Sequence, residues 1–443
     1  MTCGGGVAAM EALLGIRALL GLAPHVDLIA PNRRFVYEPL AVAEPFGMER
    51  ARRFELAAVA GEYRAQLHIG SLRTVEARAH RITLSGGARL AYDALLVAVG
   101  ARPSAWLPGA LHFRGAADVS PFRELLARLE SDAVSRVVFA APAKLGWTLP
   151  TYELALLTAA RVAERHLTGI ELTIVTPEQE PLAVFGATAS RAMRGVLADR
   201  GIQLHADSIS KMVLPGALQL ASGDTIEADQ VVALPQLKGP CVPGLPANDD
   251  GFIEIDDHAR VIGLGDVYAA GDATAFPIKQ GGIPTQQADT AVEAMAARLG
   301  AGVEPPPLRP VLRGALLTGI APTYLRATIS DELAAAGEPA ADPLWWPPTK
   351  IAGRYLGPYL AALARNGEGT SLEHTSVSND DPTDVQAGHR EARELALTFA
   401  LADESSEDFR SALRWLEVVE QLDGALPPGY DAKRDDWRAR AYG

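Results

Sequence analysis

Cys3-Gly4-Gly5-Gly6-Val7-Ala8-Ala9-Met10 opens the chain with the spacing G-x-G-x-x-G/A, and residues 10–22 continue with a helical pattern. His25-Val26-Asp27-Leu28-Ile29-Ala30 then reads as a strand. In such a turn Gly4 permits the tight bend, Gly6 lets the backbone approach a pyrophosphate, and small Ala9 lets helix and strand pack closely. The pyrophosphate sits at the helix amino terminus, where free N–H groups and the helix dipole attract it. Small residues here also serve ordinary helix–strand packing. Two features depart from the pattern. A strand of about five residues is expected before the first glycine, and only Met1-Thr2-Cys3 stand there, leaving the central strand shortened or absent. Ala30-Pro31-Asn32-Arg33 stands where an acid for ribose hydroxyls is expected, so Asn32 is the side chain left to accept that bond.

Composition bounds the rest. At 443 residues and 48% hydrophobic, the chain can bury several cores, about three domains by length. A net charge of −13 disfavours DNA, RNA and anionic lipid, so no nucleic-acid partner is expected. Two cysteines, Cys3 and Cys241, cannot build a disulfide framework. No apolar run approaches the ~20 residues of a spanning helix, and the amino terminus lacks a basic patch followed by an apolar core. These features predict a soluble protein of a reducing, cytoplasmic compartment. The histidines form no H-E-x-x-H, no paired C-x-x-C or calcium loop appears, and G-x-S-x-G is absent. No metal site and no acyl transfer are expected.

Residues 73–87 and Ala91-Tyr92-Asp93 to Gly100 read as strands split by a glycine turn, the second ending in Gly100-Ala101-Arg102-Pro103. Later, Val267-Tyr268-Ala269-Ala270-Gly271-Asp272-Ala273-Thr274 is an apolar strand ending at a Gly-Asp pair, and Gly281-Gly282-Ile283-Pro284-Thr285 opens a helix reaching about Leu299, with the proline near its first turn. In this order the segments resemble the two-dinucleotide-domain flavoproteins of the pyridine nucleotide-disulfide oxidoreductase type. That family includes disulfide reductases, type II NADH dehydrogenases and sulfide:quinone oxidoreductases. The resemblance implies non-covalent FAD, with its pyrophosphate at the glycine turn and its ribityl chain held by Asp272. A carboxylate suits that task because it accepts charge-assisted bonds from hydroxyls. The cofactor contacts it implies fall on Gly4, Gly5, Gly6, Ala9, Asn32, Pro39, Val75, Gly100, Gly271, Asp272, Ala273, Lys279 and Thr285.

Between Ser135 and Pro240 a second α/β pattern appears: strand 136–141, helix 152–166, strand 170–176, helix 187–200 and a strand from Ile202. Relatives that use NAD(P)H carry a second glycine fingerprint after the first of these strands. Here Pro142-Ala143-Lys144-Leu145-Gly146-Trp147-Thr148-Leu149-Pro150 takes its place, where Pro142 lacks an N–H and Gly146 alone permits close approach. The fold is expected without its phosphate cradle, so NAD(P)H is a doubtful cofactor. The loop looks like that of the sulfide:quinone oxidoreductases, yet Trp147 and Thr148 stand where they place a redox cysteine. Cys241 is left without a partner, and Cys3 is expected as a packing residue.

Near the flavin, the resemblance puts Lys279 and Glu153 as catalytic candidates. Lys279 would stabilise negative charge on the reduced ring, assisted by free N–H groups at 284–286, and Glu153 would handle protons. The competing readings are a solvated lysine and an exposed first-turn glutamate. Phe35-Val36-Tyr37-Glu38-Pro39-Leu40 resembles a loop crossing the flavin edge, or is an ordinary turn closed by a tyrosine.

Val303 to Pro310 is a stiff proline linker, followed by a hairpin at 311–318 and 322–329. Trp345 and Trp346 head an aromatic segment that reads as a lid or core, with an interfacial membrane segment as the alternative. The expected class is therefore α/β, with two Rossmann-like domains, the second inserted in the first, and a carboxyl-terminal α+β and helical region. The domain divisions are 1–128 and 241–302 for FAD, 129–240 for the insert, 303–365 for the hairpin and aromatic segment, 366–387 for a flexible linker and 388–443 for a helical hairpin. That hairpin packs on its own chain or mediates a homodimer. The functional expectation is an FAD-dependent oxidoreductase serving a small-molecule electron donor and acceptor, the acceptor quinone-like. An NAD(P)H reductase with a non-standard nicotinamide site and a module without turnover are the alternatives.

Overall fold

The computed structural model describes residues 1–144, 146–329, 335–336, 339–345, 348–365 and 426–442, with single positions between 397 and 420. Its first sheet is five-stranded and wholly parallel, in the spatial order Val267–Ala269, Leu95–Val97, Thr2–Cys3, Asp27–Ala30, Gln66–Ile69. The strand ahead of the glycine turn is thus present, two residues long, at the centre of the sheet. Leu28, Leu95, Leu96, Val267 and Tyr268 are fully buried, as a parallel sheet covered on both faces requires. The Val7–Leu20 and Gly282–Arg298 helices pack on it.

A second parallel sheet runs Leu111–His112, Gln230–Ala233, Arg136–Ala140, Glu171–Val175, Ile202–His205. The chain crosses to it through Arg102–Ser104 and returns through Gln236–Lys238, which pair antiparallel. Crossing this early corrects the expected boundary at 128. Leu111–His112 hydrogen-bonds into the second sheet, and Phe122 and Leu125 of the Val119–Glu130 helix share a core with its Val137 and Phe139.

The expected hairpin is Val311–Leu316 against Thr323–Thr328. Trp345 is buried on it, edge-on to Tyr324 at 5.2 Å with its indole N–H donated to the Thr349 carbonyl, the core placement of the two readings. Trp346 and the expected linker 366–387 lie outside the described residues. Met1–Gly357 forms one compact unit and Pro358–Gly443 a second. The described positions of the two helices expected in the second unit are helical. Beyond Pro427-Pro428 comes a further helix, Tyr430–Tyr442, that the sequence reading did not anticipate; its Trp437 is buried with Ala412 and Leu416. Among the described residues no helix is long and apolar enough to cross a membrane.

Candidate active site

Ligands of open parallel sheets bind beyond the carboxyl ends of the strands, and two cavities lie there. The first, about 510 Å³, is lined by Gly4, Gly5, Gly6, Asn32 and Gly100, with Arg34, Arg73 and Arg102 from the rim. The second, about 280 Å³, is lined by Pro39, Glu153, Asp272 and Lys279 and by the apolar side chains of Val42, Phe113, Trp147, Leu149 and Ile351. Glu38 borders both. It is held by the Ala116 N–H at 2.9 Å, and burial raises its carboxyl above the usual range.

The glycines of the turn stand in different surroundings. Gly4, at φ +152, packs so closely on Ala98 that a Cβ would lie 2.1 Å from its carbonyl oxygen, and at Gly5 a Cβ would lie 2.9 Å from Ala30. Nothing lies within 4 Å of a Cβ built on Gly6, which lines the cavity. At the other end of the site, burial raises Asp272 to about 6 while Lys279 pulls it back. Its carboxylate accepts no hydrogen bond from the described residues. An open backbone turn and a carboxylate with free acceptors fit a dinucleotide carrying a polyol.

Lys279 reaches the second cavity, but its ammonium also donates to the carbonyls of Thr274 and Asp272 and stands 4.1 Å from the centre of the Phe252 ring. Burial lowers it to about 8. The expectation of free amides at 284–286 needs correcting: Pro284 has no N–H, and Thr285 and Gln286 fall inside the helix. The helix begins at Gly282, and Gln280 caps it: its Oε1 accepts from the Gly282 N–H and its carbonyl from Ile283, both at 2.9 Å. Thr285 is buried and gives its hydroxyl to Gly282.

Ala9, Val75, Gly271, Ala273 and Thr285 border neither cavity. Val75 sits in the core with its N–H on the Pro243 carbonyl at 2.9 Å. Gly271 holds φ +81 and gives its N–H to the Gln287 side chain.

Glu153 is 1% exposed, so the surface-glutamate reading fails. The Lys350 ammonium lies 2.6 Å from both its oxygens, and the Leu317 N–H adds a third bond. Burial raises the Glu153 carboxyl, and Lys350 offsets part of that rise. Sequence reasoning missed Lys350; its one signal is a lone cation between Trp-Trp-Pro-Pro-Thr and Ile-Ala-Gly. Tyr37, from the expected flavin-edge loop, accepts the Ile351 N–H. Both cysteines are free and border the first cavity, away from Trp147; burial raises the Cys3 thiol to about 12.

Residues 2–297 match the family model described as pyridine nucleotide-disulphide oxidoreductase. The chain belongs to that family. It is an FAD-dependent oxidoreductase. It is 27% identical over 289 residues to an NADH dehydrogenase-like protein of Mycobacterium tuberculosis, covering 59% of this chain and 70% of that one. It is 25% identical over 325 residues to rhodocoxin reductase of Rhodococcus erythropolis, covering 67% and 70%. Its fold matches the sulfide:quinone oxidoreductase of Aquifex aeolicus with a TM-score of 0.67 at 18% identity, over 83% of this chain and 91% of that one. Family membership agrees with the two parallel sheets.

Proposed function

We propose that this family member passes electrons through FAD to a flat, weakly polar acceptor of the quinone class, from a donor that does not dock in a standard nicotinamide cradle. Gly4–Gly6 would hold the pyrophosphate, Asn32 a ribose hydroxyl and Asp272 the ribityl hydroxyls, with Pro39 and Lys279 beside the ring. When bound, the flavin supplies reversible one- and two-electron chemistry. The observation that carries the acceptor reading is the second cavity: an apolar wall of Phe113, Trp147, Leu149 and Ile351 beside the buried Glu153–Lys350 pair. Apolar walls admit a flat ring and exclude water. Glu153 and Lys350 hold exchangeable protons at a buried site, which suits an acceptor that takes up two protons with two electrons.

The donor reading rests on the inserted domain. A Cβ on Gly146 would lie 1.8 Å from the Pro277 carbonyl, so this glycine serves a contact within the protein. Tyr152 is fully buried and donates its hydroxyl to Glu178 at 2.7 Å, with the Thr176 hydroxyl also on that carboxylate. Glu178 stands just beyond the Glu171–Val175 strand, where the fold places a ribose-binding acid.

The test is reoxidation. Protein loaded with FAD is photoreduced without oxygen and mixed with a short-chain benzoquinone. Recovery of the oxidised visible band well ahead of free FAD is expected. A rate equal to that of free FAD overturns the acceptor assignment.

A further inference from the structure

Beyond the cavity itself, the segment 349–356 is fastened to the flavin half of the fold by a buried acid that plays no part in the chemistry proposed above. Glu11, in the Val7–Leu20 helix, is 0% exposed. Its Oε1 accepts the Tyr355 N–H at 2.7 Å and its Oε2 the Leu356 N–H at 2.9 Å. Gly353 passes so close that a Cβ there would lie 2.2 Å from Oε2. Asp289, from the Gly282–Arg298 helix, hydrogen-bonds the same carboxyl, and Arg354 pairs with Glu293 of that helix at 2.8 Å. At the other end of the segment the Ile351 N–H reaches the Tyr37 hydroxyl at 2.9 Å, and Ile351 packs over Gly281. Lys350 immediately precedes the first of these fixings, 10% exposed and bound to Glu153.

We propose that Glu11 is a positioning residue, which fastens the 349–356 strap and thereby sets Lys350 on Glu153 in the acceptor cavity. A carboxylate in a helix interior is costly to bury unless its acceptors are filled. Here both are filled by main-chain amides of one remote segment, an arrangement an apolar residue would replace if only packing mattered. The strap has no regular structure before Leu356, so side chains fix its path. That Lys350 serves acceptor reduction rests on the function proposed above; that Glu11 places Lys350 does not.

Two measurements separate those claims. The first is labelling of Lys350 by an amine-acylating reagent, read by peptide mass spectrometry on the FAD-loaded protein. In Glu11→Gln, whose amide presents a donor to one of the two N–H groups, Lys350 should label about tenfold faster, the equilibrium equivalent of leaving one buried N–H without its acceptor. Gly353→Ala, which forces the strap off Glu11 and leaves the carboxylate intact, should do the same. Labelling unchanged from wild type in both variants overturns the inference. The second is quinone-driven reoxidation. Glu11→Gln should lower it, and should lower it no further in a Lys350→Met background. An equal further loss there would mean that Glu11 acts through general stability, which also overturns the inference. Faster labelling with no effect of Lys350→Met on reoxidation would uphold Glu11 as the fastener and refute the acceptor reading.

Discussion

Lys350→Met removes the cation from a pair whose carboxylate is 1% exposed, and its effect should depend on pH. Burial already raises the Glu153 carboxyl and Lys350 pulls it down, so losing the ammonium lets it rise further. Left charged and unpaired, it would cost about 3–5 kcal/mol. It escapes that cost by taking up a proton. The folded variant then holds a proton that the unfolded chain releases above about pH 4.3. Stability therefore falls as pH rises above that value, by up to about 1.4 kcal/mol per unit, until the pH passes the raised folded value. Urea unfolding at pH 5 should show a small deficit against wild type, and at pH 8 a deficit approaching the full 3–5 kcal/mol. Lys350→Met combined with Glu153→Gln should remove most of this pH dependence, since no ionisable group remains in the pair. Equal deficits at both pH values, or a double variant as weak as the sum of the single ones, would refute the buried-pair reasoning.

Two further outcomes test the cofactor end and the inserted domain. Asp272→Ala removes the free carboxylate at the cavity wall, so FAD affinity should fall by roughly ten- to a hundredfold, the loss of a charged acceptor; unchanged flavin absorbance after gel filtration removes Asp272 from the site. NADH and NADPH, mixed anaerobically with the FAD-loaded protein, should leave the visible flavin band oxidised, and rapid bleaching would show that the inserted domain takes nicotinamide despite Pro142 and the Tyr152–Glu178 bond.

Several elements were readable because their chemistry is local. Gly4, Gly6 and Ala9 sit within one turn and one helix start, where only small residues allow the backbone approach, and the structure keeps that spacing. The apolar runs at 28–30, 95–97 and 267–269 state a parallel sheet because both faces must be covered. Helix 282–298 was readable, with its proline in the first turn, but its capping was not. Gln280 caps from outside the helical pattern, its side chain taking the Gly282 N–H and its main-chain carbonyl the Ile283 N–H. The early crossing at Arg102–Ser104 was also hidden, since its partner Gln236–Lys238 lies far along the chain.

The sequence by itself determined the α/β class with two Rossmann-like domains, the glycine turn, the Gly271-Asp272 pair and the absence of a glycine cradle in the inserted domain. Each of these is a spacing of residue types along one stretch of chain. Tertiary structure alone decided that Glu153 is buried, that Lys350 neutralises it from 197 positions away, that Tyr152 closes on Glu178, and that Glu11 holds the strap. Burial and pairing of charge depend on which remote segments meet. No local pattern encodes that meeting, because a buried carboxylate and an exposed one are the same letter until the fold supplies the partner.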